Sequence, residues 1–279
     1  MSTKLILTDR DAYHQQFDKI SNTMLRTFID DPWLFYLRYI DRSKTFTPTK
    51  AMEFGSIVHA VALEQRPLRS VVGIYPKQLL SKVGAITRSC KEFASQNPDY
   101  RYWVKPAQFE TLKMCINDLR CNEFYTELID RDDMIRELPL YFEHDKTGMQ
   151  CRCMPDFYRV DGARAFVFDL KVTSDSLDFG KKINQFRYWT QACHYSEGVI
   201  YNHPDVETVE YYFLAHSPEE PFHSTMWQID GNCQAAYDHW MRKLAEAIAM
   251  EDFRHDAEKQ INKHSVSAWS LGVNERRER

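Results

Sequence analysis

No window of this sequence approaches about 18 uninterrupted apolar residues, so no membrane-spanning helix is expected. The N-terminal stretch, MSTKLILTDRDAYHQQ, lacks an apolar core of secretory length. The seven cysteines, at 90, 115, 121, 151, 153, 193 and 233, are scattered and odd in number, which argues against a disulfide framework. These absences point to a reducing cytoplasm. Internal repeats and low-complexity tracts are also missing. So is an excess of positive charge, since the formal net charge is −4. A nucleic-acid ligand would therefore have to meet a local basic surface rather than a basic protein.

The composition that remains is that of a globular chain, 43% hydrophobic and 27% charged over 279 residues. One local basic surface is available. Residues 66 to 105 carry eight cations (66, 69, 77, 82, 88, 91, 101 and 105) against Glu92 and Asp99, a balance of about +6. Such a run reads equally as a solvated face or as a phosphate-contacting surface. The polar loop from Arg42 to Lys50 adds further cations.

Periodicity divides the chain in two. Ser21 reads as an N-cap, and helices are expected from Asn22 to about Ile40 around an Asp31-Pro32 break. Further helices are expected over Met52 to Leu63 and Gln108 to Ile129, with an irregular, basic stretch from 64 to 106 between them in which short helices are expected. Strands are then expected at Leu138–Glu143, Met149–Val160, Ala165–Thr173, Val206–Ala215 and Ser224–Ile229. A helix from about Lys181 to Glu197 crosses this strand-rich part, and a last one runs from Gln234 to about Asp252. The charged tail ending in ERRER is expected to fray. Helices first, then strands crossed by a helix, make an α/β pattern with a helical N-terminal portion.

The segment MPDFYRVDGARAFVFDLKV, residues 154 to 172, carries the chemistry. Asp161-Gly162 is a strong hairpin-turn signal. A turn centred between Gly162 and Ala163 pairs residues whose numbers sum to 325, and Asp156 and Asp169 do so. Alternation places Lys171 on the same face and Phe166, Phe168 and Leu170 on the other, which is expected to be the buried one. Two adjacent carboxylates repel unless a cation lies between them, and a hard divalent ion meets that need. Lys171 would stand beside the ion, and the Leu170 carbonyl is placed to ligate it. The alternative is an exposed acidic cluster without chemistry, and Pro155 could shift the register by interrupting the ladder.

Other residues can sharpen this reading. Asn184, Tyr188, Gln191 and Tyr195 share one face if a single helix carries them. His59 lies in an apolar helix as either a core residue or a metal ligand. Glu143 is either a strand-end surface group or a further carboxylate. Cys151 and Cys153 flank Arg152 and lack the partners of a metal site, so packing is their expected role.

The runs CRCMPDF, FDLKVTSD and FRYWTQACHYSEG, with EFGSIVHAVALE and SNTMLRTFIDDPWLFY upstream, resemble the RecE-type (exonuclease VIII) nuclease domain and the wider RecB-like nucleases of the PD-(D/E)XK superfamily. The resemblance covers roughly residues 20 to 230. It implies a restriction-endonuclease-like core, a central mixed sheet flanked by helices, with a helical N-terminal elaboration. One nuclease domain would span 1–279: a mostly helical part at 20–130 with the histidine motif, the catalytic sheet and motif helix at 135–232, and a C-terminal helix and tail at 233–279.

It further implies that His59, Asp156, Asp169 and the Leu170 carbonyl bind Mg²⁺, which Mn²⁺ could replace. Lys171 would be catalytic, Gln191 and Tyr195 would support the site, and Tyr188, Arg152 and Glu143 would lie at the DNA. Without a downstream cysteine triplet, no iron–sulfur cluster is expected. The implied activity is 5′-to-3′ digestion of linear double-stranded DNA, leaving 3′ single strands for an annealing or recombination protein. A homo-oligomeric ring on double-stranded DNA ends, in a bacterial or phage-infected cell, completes the implied picture. Phage or prophage origin would suit it. An endonuclease on the same core, or a DNA- or protein-binding domain that does not cut, are the other readings.

Overall fold

The computed structural model describes Tyr13 and residues 15–254. The charged tail lies outside the described residues. Ten helices and nine strands are named here in chain order. The helical part comprises α1 (Asn22–Asp30), α2 (Pro32–Phe35), α3 (Lys50–Ala62), α4 (Leu68–Val71), α5 (Arg88–Ser95), α6 (Pro106–Cys121) and α7 (Glu123–Ile129). Within it lie two short strands, β1 (Val72–Ile74) and β2 (Tyr102–Val104). Then come β3 (Ile135–Arg136), β4 (Leu140–Glu143), β5 (Gln150–Cys153), β6 (Phe157–Asp161) and β7 (Arg164–Val172). Helices α8 (Phe179–Gln185) and α9 (Tyr188–Asn202) lead to β8 (Thr208–His216), β9 (Ser224–Ile229) and α10 (Gln234–Met250).

The main sheet has five strands in the order β3-β6-β7-β8-β9. Only the β7–β8 pair is parallel, so the sheet is mixed. A parallel pair needs a crossover, and α8 and α9 provide it. Core residues lie on both faces of this sheet. Ala165, Val167, Phe213 and Ala215 pack against α1, α9, α10 and the β4–β5 hairpin. Phe157, Leu170 and Leu214 pack against α3, α6 and α7. The α/β architecture, a mixed central sheet flanked by helices, is thus the expected one.

Local chemistry sets the element ends. The Ser21 hydroxyl accepts from the Met24 amide at 3.3 Å, and Thr49 caps α3 through Met52 in the same way. Gly162 takes φ +59° in the two-residue turn, a conformation a side chain disfavours. The ladder pairs Phe157 with Phe168 and Asp161 with Arg164, each summing to 325. The register read from the turn therefore holds.

Four expectations are corrected. The strand expected over Met149–Val160 is two strands in different sheets: β5 pairs with β4, and β6 joins the main sheet. Pro155, without an N–H, sits in the break. The helix expected over Lys181–Glu197 is α8 and α9, broken where Arg187 takes a left-handed φ of +50°. Residues 64 to 106 hold a parallel β1–β2 pair that their irregular pattern hid. Finally, Ala165, Val167 and Asp169 form a buried row of β7, while Phe166 and Phe168 are half-buried. Helices covering both faces leave no polar side for alternation to mark. No described helix is long and apolar enough to cross a membrane.

Candidate active site

The site is assembled from three elements that the sequence separates widely. The β6–β7 hairpin brings Asp156, Asp169 and Lys171 to one edge. α3 delivers His59, and the N-terminal turns of α9 deliver Tyr188 and Gln191. The two aspartates are 8% and 3% exposed, so their charges are almost wholly withdrawn from water.

Each carboxylate has its own partners. The Leu170 amide donates to Asp156 Oδ2 at 2.7 Å, across the end of the hairpin. Asp169 is clasped from two sides, by the Lys171 ammonium on Oδ1 and the Gln191 amide on Oδ2. His59 Nε2 lies 2.8 Å from the Leu170 carbonyl. A carbonyl only accepts, so Nε2 carries the proton and Nδ1 faces Asp156 Oδ1 at 3.7 Å. That leaves an imidazole nitrogen and a carboxylate oxygen directed at each other, too far apart for a hydrogen bond.

Burial pushes the Asp156 carboxyl up to about 7, and the charge of Asp169 acts in the same direction against His59 and Lys171. Burial works against the Lys171 ammonium too. Its carboxylate neighbours, Asp169 foremost, outweigh that and hold it above the ordinary lysine value. The ammonium lies 5.1 Å from the Tyr188 ring centre and 5.5 Å from that of Phe213. Arg26 stands over the same Tyr188 ring at 5.1 Å, with its Nε buried and without a hydrogen-bond partner.

The donor set suits a divalent cation. Two buried carboxylates, a backbone carbonyl and an imidazole nitrogen converge, with a single lysine to balance the acids. Asp156, Asp169, Leu170 and His59 are the residues that would hold the ion.

The other candidate residues are not all brought to this cluster. Gln191 is in the cluster. Tyr195, one turn on, packs against the Tyr211 and His194 rings, and burial holds its hydroxyl well above the usual value. Asn184 is on the separate helix α8 and donates to Gly180 O, so the four-residue face is not formed. Arg152 is 3% exposed; its Nε donates to Gln16 O at 3.0 Å and its guanidinium covers Tyr13. Glu143 is exposed and accepts from Gln150 at 2.9 Å on the β4–β5 hairpin. Cys151 and Cys153 are buried in the core, as packing residues.

In the basic stretch, Arg66, Arg69, Lys77, Lys82, Arg88, Lys91 and Arg101 are exposed and Lys105 is half-buried. Arg42 to Lys50 is exposed throughout. A surface cleft of about 750 Å³ borders Phe168 and Arg159, on the side of β7 away from Asp169. Sequence reasoning missed Phe213, which the parallel ladder sets beside Asp169. Nothing in its local pattern marks it as a neighbour of Lys171.

A hairpin carrying Asp156, Asp169 and Lys171 on a mixed sheet flanked by helices defines the PD-(D/E)XK nuclease superfamily. Residues 35–256 match the family model described as a PDDEXK-like domain of unknown function (DUF3799), and the chain belongs to that family. It is also similar to the crystal structure of the "putative exonuclease" of Eubacterium rectale, with a TM-score of 0.59 and 12% identity, over 96% of this chain and 98% of that one. At that identity the likeness concerns the fold. No curated protein matches.

Proposed function

We propose that the chain is a metal-dependent exodeoxyribonuclease that digests linear double-stranded DNA from 5′ ends and leaves 3′ single strands. The observation that carries the reading is the burial of Asp156 and Asp169 beside the Lys171 ammonium, with His59 and the Leu170 carbonyl closing on them. A bound Mg²⁺, or Mn²⁺ in its place, supplies a Lewis acid at the scissile phosphate.

The chain's own groups do the rest. Gln191 fixes the orientation of Asp169. Lys171, held over the Tyr188 and Phe213 rings, orients the attacking water and offsets the negative charge that builds as water adds to phosphorus and the P–O3′ bond breaks. Arg26 shares the Tyr188 ring with Lys171, which supports it as a contact for the terminal 5′ phosphate. The exposed cations of 66 to 105 guide the backbone, a contact that weakens with salt. The RecE-type resemblance extends the reading to a homo-oligomeric ring, to a single-strand annealing partner and to a cytoplasmic setting.

The test is linear duplex labelled at either the 5′ or the 3′ end, incubated with Mg²⁺ beside a covalently closed circle. Early release of 5′ label, with the circle intact, is expected. Early release of 3′ label reverses the polarity, and cutting of the circle makes the protein an endonuclease. Digestion that survives Asp156→Asn or Lys171→Ala removes the mechanism.

A further inference from the structure

At the far end of α9 a second group of ligand-type side chains gathers, one buried and two half-buried. β4 ends at Glu143, and the next residue, His144, turns inward and is 0% exposed. Its Nδ1 meets the Thr147 hydroxyl at 2.9 Å, which leaves Nε2 for the interior. Nε2 points between Glu197 on α9 and Asp238 on α10, 3.7 Å from Glu197 Oε1 and 3.6 Å from Asp238 Oδ1. It has no hydrogen-bond partner, and neither has Glu197 Oε2. Ligand atoms from His144, Glu197 and Asp238 all lie within 4.8 Å of one another.

The Gln234 amide donates to Glu197 Oε1 at 2.7 Å and to Asp238 Oδ1 at 2.8 Å, so it steadies one side of the cluster. No lysine or arginine pairs with either carboxylate among the described ion pairs, in contrast to Asp169. Burial pushes the Glu197 carboxyl up to about 7, with Asp238 adding to the effect. The cluster is therefore acidic, largely shielded from water and without a paired lysine or arginine among the described ion pairs.

We propose that His144, Glu197 and Asp238 form a second metal site that takes a divalent transition-metal ion of the zinc type. One imidazole and two carboxylates, with no backbone carbonyl added as at the first site, make a donor set that a zinc-type ion takes readily. Ligands of a tetrahedral zinc stand about 3.3 Å apart, so the 3.6 and 3.7 Å separations need only a small closure. The Thr147 hydroxyl on Nδ1 is the outer hydrogen bond that orients a ligating histidine. The ion would pin the β4–β5 hairpin to α9 and α10, and so steady the helix that carries Gln191. The proposal stands whether or not the nuclease reading holds.

The experiment strips the full chain with a chelator, reloads it with Zn²⁺, removes the excess, and counts zinc per chain by mass spectrometry alongside the melting temperature. One zinc per chain and a raised melting temperature are expected. Binding should weaken at least about a hundredfold in Glu197→Gln and Asp238→Asn. It should persist in the Asp156→Asn, Asp169→Asn double variant, which separates this site from the other. The Cys193 and Cys233 sulfurs, 3.1 Å apart, are the rival donors, so zinc should also persist in Cys193→Ser.

A wild-type chain that retains no zinc overturns the proposal. So does zinc retained by Glu197→Gln and Asp238→Asn, or lost from either control. Should the ligand variants fail to fold, the Co²⁺-loaded Asp156→Asn, Asp169→Asn double variant decides. Ligand-field bands without thiolate charge transfer support the site; a thiolate band, or the spectrum of the aqueous ion, overturns it.

Discussion

The two ends of α9 face similar problems and solve them differently. Near its start, Asp156 and Asp169 are buried together; near its end, the half-buried Glu197 and Asp238 close on the buried His144. At each end a glutamine amide grips the acids, Gln191 at one and Gln234 at the other. The first pair, however, has a lysine ammonium fixed on one carboxylate, while the second has a histidine that burial keeps below its ordinary value. The first cluster therefore carries much of its own counter-charge and leaves room for an exchangeable hard ion. The second has no such cation among the described residues, and a tightly held one would complete it. The ends thus differ in one group, an ammonium held on a carboxylate at the start of the helix and a histidine between two carboxylates at its end.

The comparison can be broken most decisively at Lys171. Lys171→Ala should lower Mg²⁺-dependent digestion by about a thousandfold, in line with loss of one preorganised charge partner, and leave zinc content unchanged. Equal loss in His144→Ala at constant temperature would erase the distinction between the ends. Gln191→Ala should reduce digestion by up to about a hundredfold, because Asp169 loses the amide that orients it. A saturation curve in Mg²⁺ would show whether the loss lies in ion affinity.

At the other end, a side chain at Gly198 would run into Cys153 and Phe142. Gly198→Ala should cost about 2 kcal/mol of stability, read by denaturant unfolding, while the activity of the folded fraction is kept.

The smallest effect is in pH. Asp156 holds a proton up to about 7, chiefly because it is buried. An incoming ion must displace that proton, so activity at limiting Mg²⁺ should fall about tenfold per unit below that point. The sign for stability is opposite. The folded, metal-free chain binds a proton there that the unfolded chain has lost, so its stability declines as pH rises from the usual carboxylate range to about 7. Asp169→Asn removes a like charge and should move the proton release of Asp156, followed by the pH dependence of unfolding, to lower pH.

How much was legible in the sequence follows from how local each signal is. The pairing of Asp156 with the Asp169 strand rested on Asp161-Gly162, two residues whose turn chemistry fixes a whole ladder. The place of His59 beside the aspartates was legible only through the motif of its helix, since an imidazole on an apolar helix also reads as packing. The break at Arg187 was not, since its left-handed backbone falls on a residue that carries no glycine signal. Nor was the buried face of β7, because alternation is informative only where one side meets water. The second cluster lay just beyond the reading. The strand was followed to Glu143, which is exposed, while its neighbour His144 turns into the interior to meet residues from two distant helices.

The two-residue turn at Gly162 also bears on assembly. Asp156 and Asp169 are 13 positions apart, whereas His144 and Asp238 are separated by 94. Loop-closure entropy makes the longer encounter costlier by about 2 kcal/mol. The two aspartates can thus be drawn together by a ribbon that zips on the microsecond scale, long before α10 has anything to dock against.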